Sequence, residues 1–304
     1  MTVIPPYLKK GDLIGITCPA GFLDKKKATH CIKILQSWGF EIMIGKTVGS
    51  DSENYFSGPD EERRVEFQAM LDDKSIKAIL CGRGGYGSTR IIDGLNFKKF
   101  RKDPKWIIGF SDITAFHTHV QTNFSIASIH GPMASAFQTW TRDKEYLDSI
   151  RACLTGKKMK YSSKQNAYNV IGKAKGILVG GNLALIAHCI GTKSEIKTKN
   201  KILLLEDIGE NLYAIDRMLV QLERSGKLSE IVGVIAGGFT DIKDTERPFG
   251  KRIEDIILEF FKERKIPICF DFPVGHQPNN FAIKLGIAYE LKVSSSGVSL
   301  SEQR

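Results

Sequence analysis

Short apolar runs alternate with helical stretches through the first 131 residues, and that alternation constrains the fold of this 304-residue chain more than anything else in it. Asp12 to Ala20 reads as a buried strand ending in a Pro-Gly turn, followed by a helical pattern from about Lys25 to Trp38. Phe40 to Gly45 is a second strand, and Pro59-Asp60-Glu61-Glu62 opens a helix with an acidic first turn that runs to about Leu71. Ile76 to Gly82, the run Lys105 to Phe110, and Ser125 to Gly131 supply three more strands. Strands alternating with helices dictate an α/β fold built on a mainly parallel, doubly wound sheet. Chemistry in such sheets gathers at the C-terminal strand ends. Two turns lie there: the glycine-rich one after the third strand and the one at Ser111 after the fourth.

The pattern breaks between about Leu154 and Lys175, which is polar, basic and without helical period. We therefore divide the chain into a nucleophile domain over 1–155, a linker over 156–175 and a smaller, mixed domain over 176–304. In the last of these, Gly180-Gly181-Asn182 opens an apolar helix, and strands follow at Lys201 to Glu206, Ile231 to Phe239 and Ile268 to Gly275. Helices fall from about Leu212 to Ser225 and near Ile253 to Lys262, and the tail from Phe281 reads as antiparallel strands with a hairpin at Ser295-Ser296-Gly297.

Bulk properties exclude several classes. Apolar content of 42% and charged content of 26% are those of an ordinary globular chain. The net charge of +10 raises nucleic acid as a partner, but the cations are scattered apart from Lys25-Lys26-Lys27 and Lys157-Lys158, and no basic strand is interleaved with aromatics. The excess reads as a basic solvated surface. The six cysteines are widely spaced with no C-x-x-C, which argues against both a disulfide framework and a zinc site and favours free thiols in a reducing compartment. The N-terminal residues lack the apolar core of a secretory signal, and no stretch is long enough to cross a bilayer. We expect a cytoplasmic protein with neither membrane nor nucleic acid as a partner.

The turn Gly109-Phe110-Ser111-Asp112 joins a buried run directly to a helical one. A serine at that junction stands clear of the sheet, with the N–H groups of the next helix facing whatever bonds to its hydroxyl. This is the geometry of a nucleophile elbow, although Ile113 occupies the place of the second glycine in G-x-S-x-G. The alternative is that Ser111 simply caps the helix.

A serine nucleophile needs a base and an orienting carboxylate. Of the six histidines, His30 and His188 sit within helical patterns; His117 and His119, two apart on one helix, make a poor metal pair. His276 stands between the apolar run Ile268 to Gly275 and a polar loop, and His130, ending the fifth strand, is its rival as base. Glu206 closes the run Ile202 to Leu205, and its neighbour Asp207 can serve as a helix cap while Glu206 has no such routine use. Ser111, Glu206 and His276 thus follow one another along the chain, each at the end of an apolar run. Gly82-Arg83-Gly84-Gly85-Tyr86-Gly87 matches G-x-G-x-x-G, yet it follows the third strand rather than the first, and Asp103 lies in a polar loop, so a dinucleotide is a poor fit. Its N–H groups suit a developing oxyanion instead. We expect no cofactor and no metal.

With these residues assembled, the chain resembles the serine LD-carboxypeptidase family, peptidase family S66, over nearly its whole length. The resemblance rests on the order and spacing of Arg83 to Gly87, Gly109 to Thr114, His130 to Pro132, Gly180 to Leu183, Leu203 to Glu210 and Val274 to His276. It implies a cytoplasmic, homodimeric enzyme of murein recycling that removes the terminal D-alanine from tetrapeptides by cutting after an L-configured diamino acid centre. It also implies a flavodoxin-like N-terminal domain, a smaller β-rich C-terminal domain and a site between them. Ser111 would be the nucleophile, His276 the base and Glu206 its orienter, with the N–H groups of Asp112 and Gly85 as oxyanion donors. Arg83 is placed either to hold the free carboxylate of the substrate or to brace its own turn. Related self-immunity peptidases acting on peptide–nucleotide antibiotics carry an aromatic platform, for which this chain offers only the isolated Trp140. A regulator that binds a ligand without chemistry is the alternative of another class.

Overall fold

The computed structural model describes residues 2–137, 144–261 and 263–303, so Trp140 lies outside the described residues. The first sheet is built from β1 (Leu13–Thr17), β2 (Glu41–Ile44), β3 (Ile76–Cys81), β4 (Trp106–Gly109) and β5 (Ser128–His130), all parallel, in the order β2-β1-β3-β4-β5. Its central strands are apolar on both faces, as a sheet covered on both sides requires. Ile14, Ile16, Leu80 and Ile108 enter one core, while Ile79, Cys81 and Ile107 point into another beneath the helices Asp60–Asp72 and Thr114–Phe124.

The rest of the chain contributes β6 (Lys160–Ser163), β7 (Gly172–Asn182), β8 (Lys201–Ile208), β9 (Gly233–Thr240), β10 (Ile268–Cys269), β11 (Ile283–Leu285), β12 (Ala288–Ser294) and β13 (Gly297–Glu302). Seven of these form a second, mixed sheet in the order β10-β9-β8-β7-β12-β13-β6, with β7 to β10 parallel and the others antiparallel. β11 instead crosses to the first sheet and pairs antiparallel with β5. The two sheets share one core, in which Leu178, Ile202, Leu204 and Ile235 of the second join Ile14, Ile16 and Ile108 of the first. The expected architecture of a doubly wound parallel sheet followed by a mixed, β-rich unit is the one observed.

Two local readings change, and one contact is new. The polar segment over 156–175 carries β6 and the start of β7; Tyr161 is buried and donates to the Ala282 carbonyl at 2.8 Å, while Lys160 and Ser162 face out. An edge strand with polar outward residues is easily mistaken for a loop. The run from Ile268 to Gly275 is a strand for only two residues, because Asp271 takes φ 52° and Pro273 has no N–H to give a ladder; beyond it the chain touches β9 only at intervals, through the Phe272 N–H to the Ala236 carbonyl at 3.1 Å and a bridge from Gly275 to Gly238. Lastly, Lys284 of β11 is wholly buried and paired with Glu302 of β13 at 2.8 Å, an ion pair that ties the two sheets together.

Candidate active site

Ser111 sits where the elbow reading puts it, at the C-terminal end of β4. Phe110 is extended, and Ser111 turns abruptly to φ 61° to open a single 3-10 turn, Ser111–Ile113, that leads into the helix Thr114–Phe124. A left-handed serine costs on the order of 1–3 kcal/mol, and such strain is retained where the surrounding structure dictates it. Neither helical start takes a side-chain cap, so the capping alternative for Ser111 does not hold. The Asp112 N–H stands in the first turn, where helical geometry leaves it without an intrahelical acceptor. The glycine-rich turn after β3 lies directly against the serine. A Cβ built on Gly84 would be 3.0 Å from Ser111 Cβ and 3.2 Å from its Oγ, so only glycine lets the backbone come this close. Gly85, with φ +98°, follows, and the Tyr55 hydroxyl covers the spot where its side chain would be.

Glu206 reaches the same region from the second sheet. Period-two alternation along β8 places it on the face of Ile202 and Leu204, the face that shares a core with the first sheet. The register between β8 and β9 slips between Leu205 and Asp207, an irregularity that re-aims the carboxylate beside it. Glu206 Oε2 accepts from His276 Nδ1 at 2.6 Å and from the His276 backbone N–H at 3.2 Å. That double contact needs Gly275, whose φ is +95° and whose Cβ would stand 2.6 Å from both Cβ and Oε2 of Glu206. Asn280 Oδ1 accepts the Gly275 N–H at 2.9 Å, and Thr240 Oγ1 donates to the His276 carbonyl at 2.6 Å. Neither support was visible in the sequence, where Asn280 belonged to an undistinguished polar loop.

The His276 ring packs on Phe110, the residue before Ser111, with centroids 4.7 Å apart, so the pair and the strained turn meet at one place. Burial pushes the Glu206 carboxyl up, but the His130 and His276 imidazoles on its two sides outweigh it and hold it down to about 2. Glu206 is therefore an anion in a dry setting. Asp207, on the opposite face of β8, is pushed up to about 6, first by burial and then by the neighbouring Glu206 charge. It does cap a helix, though not the one that follows it: Oδ2 accepts the Ala184 N–H of the helix Leu183–His188 at 2.9 Å.

The remaining histidines divide clearly. His117 Nε2 bonds the Gly109 carbonyl at 2.9 Å, and burial pushes its basicity down to about 3. His119 Nδ1 meets Ser194 Oγ at 2.9 Å. His130 is fully buried with Nε2 3.7 Å from Glu206 Oε1, on the far side of the carboxylate from His276. Arg83 is exposed and donates through Nη1 to the Phe22 carbonyl at 2.9 Å, a contact that braces its turn and leaves its other N–H groups for a ligand. Sequence reasoning overlooked Arg63, which is wholly buried and donates to the carbonyls of Gly58, Pro19 and Gly87 while pairing with Asp60. It fixes the loops after β1 and β3 around the serine; in the sequence it sits in the charged run Asp60 to Arg64 and reads as a solvated helix face. Among the described residues no group of three or more His, Cys, Asp or Glu side chains is arranged to hold a metal ion, and no helix is long and apolar enough to cross a membrane.

Comparison with known proteins identifies the family. Residues 14–131 match the LD-carboxypeptidase N-terminal domain and residues 175–291 the LD-carboxypeptidase C-terminal domain. A probable murein peptide carboxypeptidase of Bacillus subtilis is 34% identical over 286 residues, covering 93% of this chain and 89% of the relative. The crystal structure of muramoyltetrapeptide carboxypeptidase from Oxalobacter formigenes superposes with a TM-score of 0.86 at 27% identity, over 96% of this chain and 99% of that one. The microcin C7 self-immunity protein of Escherichia coli is more distant, 24% identical over 335 residues, with 97% of this chain and 95% of the relative covered. The chain belongs to the LD-carboxypeptidase family of peptidases.

Proposed function

We propose that this protein is a serine carboxypeptidase that releases the terminal D-alanine from murein tetrapeptides during peptidoglycan recycling. The observation that carries the proposal is the meeting of a strained, uncapped Ser111 with the buried Glu206–His276 pair, on residues drawn from both sheets. In this reading His276 donates Nδ1–H to Glu206, which leaves Nε2 as the base for the Ser111 hydroxyl. The serine oxygen attacks the carbonyl of the diamino acid. The resulting oxyanion is held by the N–H groups of Asp112 and Gly85, and His276 returns the proton to the departing D-alanine amine. Water then cleaves the ester by the same route in reverse order. Glu206, anionic throughout, favours the imidazolium that forms at each step.

The murein peptide specificity of the relatives supports the substrate class. The six buried free thiols support a reducing compartment, and with it cytoplasmic action on recycled peptides; we take the enzyme to be a homodimer as its family implies. Turnover of a murein tetrapeptide in the presence of EDTA, read as free D-alanine, tests the proposal. Steady release that disappears in Ser111→Ala is expected. Activity lost to EDTA and restored by zinc overturns it.

A further inference from the structure

From the placement of His130 we infer that this residue is a second positioning histidine for the reaction, holding the Glu206 carboxylate from the side opposite His276 so that Oε2 stays aimed at His276 Nδ1. The inference rests on the serine-peptidase reading above and extends it to a residue outside the Ser-Glu-His set. His130 ends β5 with its side chain fully buried, and its strand is held on both sides, by Gly109 of β4 and Ile283 of β11. Both ring nitrogens and Glu206 Oε1 are buried without a hydrogen-bond partner among the described residues. Buried polar atoms without partners are costly and rare, and here the Nε2 and Oε1 atoms face each other at 3.7 Å. That separation is longer than a hydrogen bond, and sub-ångström closure of the two sheets makes it one.

Glu206 thus lies between two imidazoles with one carboxylate oxygen for each. The ionisable groups around the pair are few. His276 lies on the loop after β10 and Asp207 next along β8; His117 packs from the helix Thr114–Phe124 with its ring 6.3 Å from that of His130. His117 is kept neutral by burial, so it adds no competing charge. A His130 proton on Nε2, aimed at Oε1, lowers the basicity of Glu206 and prevents the carboxylate from rotating. Without it the Glu206–His276 pair takes up its proton at higher pH, because the carboxylate has lost a donor.

Reaction of Ser111 with phenylmethanesulfonyl fluoride tests this without a peptide substrate. The serine oxygen bonds to sulfur, fluoride leaves, and the hydroxyl proton passes to His276. The pH dependence of labelling, located by peptide mass spectrometry, is measured for the wild type, His130→Phe and His130→Gln. His130→Phe is expected to label about 10- to 100-fold more slowly, with its acidic limb moved up by about half to one pH unit. His130→Gln, whose amide can donate to Oε1, is expected to recover to within about threefold of wild type and to restore the limb. A folded His130→Phe with wild-type rate and limb overturns the inference, as does equal loss in both variants with the limb unmoved. Absence of labelling in the wild type overturns the serine reading and this inference with it. Should His130→Phe fail to fold, ¹⁵N shifts of the His130 ring decide the matter in the wild-type protein: a protonated Nε2 with bare Nδ1 is expected, perturbed in Glu206→Gln, and the opposite tautomer contradicts it.

Discussion

Ser111 and Glu206 both stand toward the C-terminal ends of buried parallel strands, yet different physics holds each in place. Ser111 is set by the backbone: a left-handed φ of 61° lifts its hydroxyl off the sheet, with the Gly84 backbone pressed against it. Glu206 is set by its surroundings: a register slip, full burial and an imidazole on each side. Strain can be relieved by changing one residue, whereas a buried charge depends on partners from other elements. The two halves of the site should therefore respond to substitution with opposite signs in stability.

Ser111→Gly is the sharpest way to separate them. Glycine accepts φ 61° without penalty, so this variant should be more stable by about 1 kcal/mol, a rise of about 2–3 °C in Tm. It should also lose D-alanine release by more than about 10⁴-fold. Lost stability together with lost activity would mean that the turn is not strained. Glu206→Gln should lower kcat by roughly 10³- to 10⁴-fold through the wrong His276 tautomer, and here stability should fall. Because Glu206 is held down to about 2, its stabilising contribution is present above the ordinary carboxylate range and is lost as the pH falls toward 2. Urea midpoints at pH 6 and pH 3 should converge between wild type and Glu206→Gln at the lower pH, and a gap that stays constant would contradict the charge argument.

Gly275→Ala brings both kinds of physics together, since a Cβ there meets both a left-handed backbone and the Glu206 carboxylate. It should cost about 1–3 kcal/mol of stability and about 10- to 100-fold in kcat, with KM little changed. Arg83→Ala should have the smallest effect. Free-acid tetrapeptide should be cleaved about tenfold less well if the guanidinium holds the carboxylate, with a C-terminally amidated analogue almost unaffected. Equal loss on both substrates would leave Arg83 with its contact to the Phe22 carbonyl alone.

The same contrast explains what could be read from the chain in advance. The Ser111 turn is local: an apolar run, a glycine, a serine and a helical pattern lie within a dozen residues, and so do the strands and helices of the first sheet. The surroundings of Glu206 are not local. That Glu206 closes an apolar run is plain in the sequence, but the face it takes and the slip against β9 are properties of the paired strands. The departure of β11 for the first sheet rests on only three residues, whose choice of partner is made by packing and by the buried Lys284–Glu302 pair. By sequence His130 is a competing base, because it ends a strand on the same sheet edge; only the packing of the second sheet against the first shows that it faces the carboxylate. Arg63 and Asn280 act through backbone carbonyls and N–H groups of distant loops, which leave no mark in residue type or spacing.

Trapping the covalent intermediate tests the account most directly. The enzyme is mixed with a murein tetrapeptide, quenched in acid within the first turnover and digested, and the peptide containing Ser111 is weighed. The account predicts that peptide to carry the tripeptide acyl group as an ester on Ser111, formed as D-alanine appears and absent in Ser111→Ala. Release of D-alanine that persists in Ser111→Ala, or an acyl group found on another residue, would contradict it.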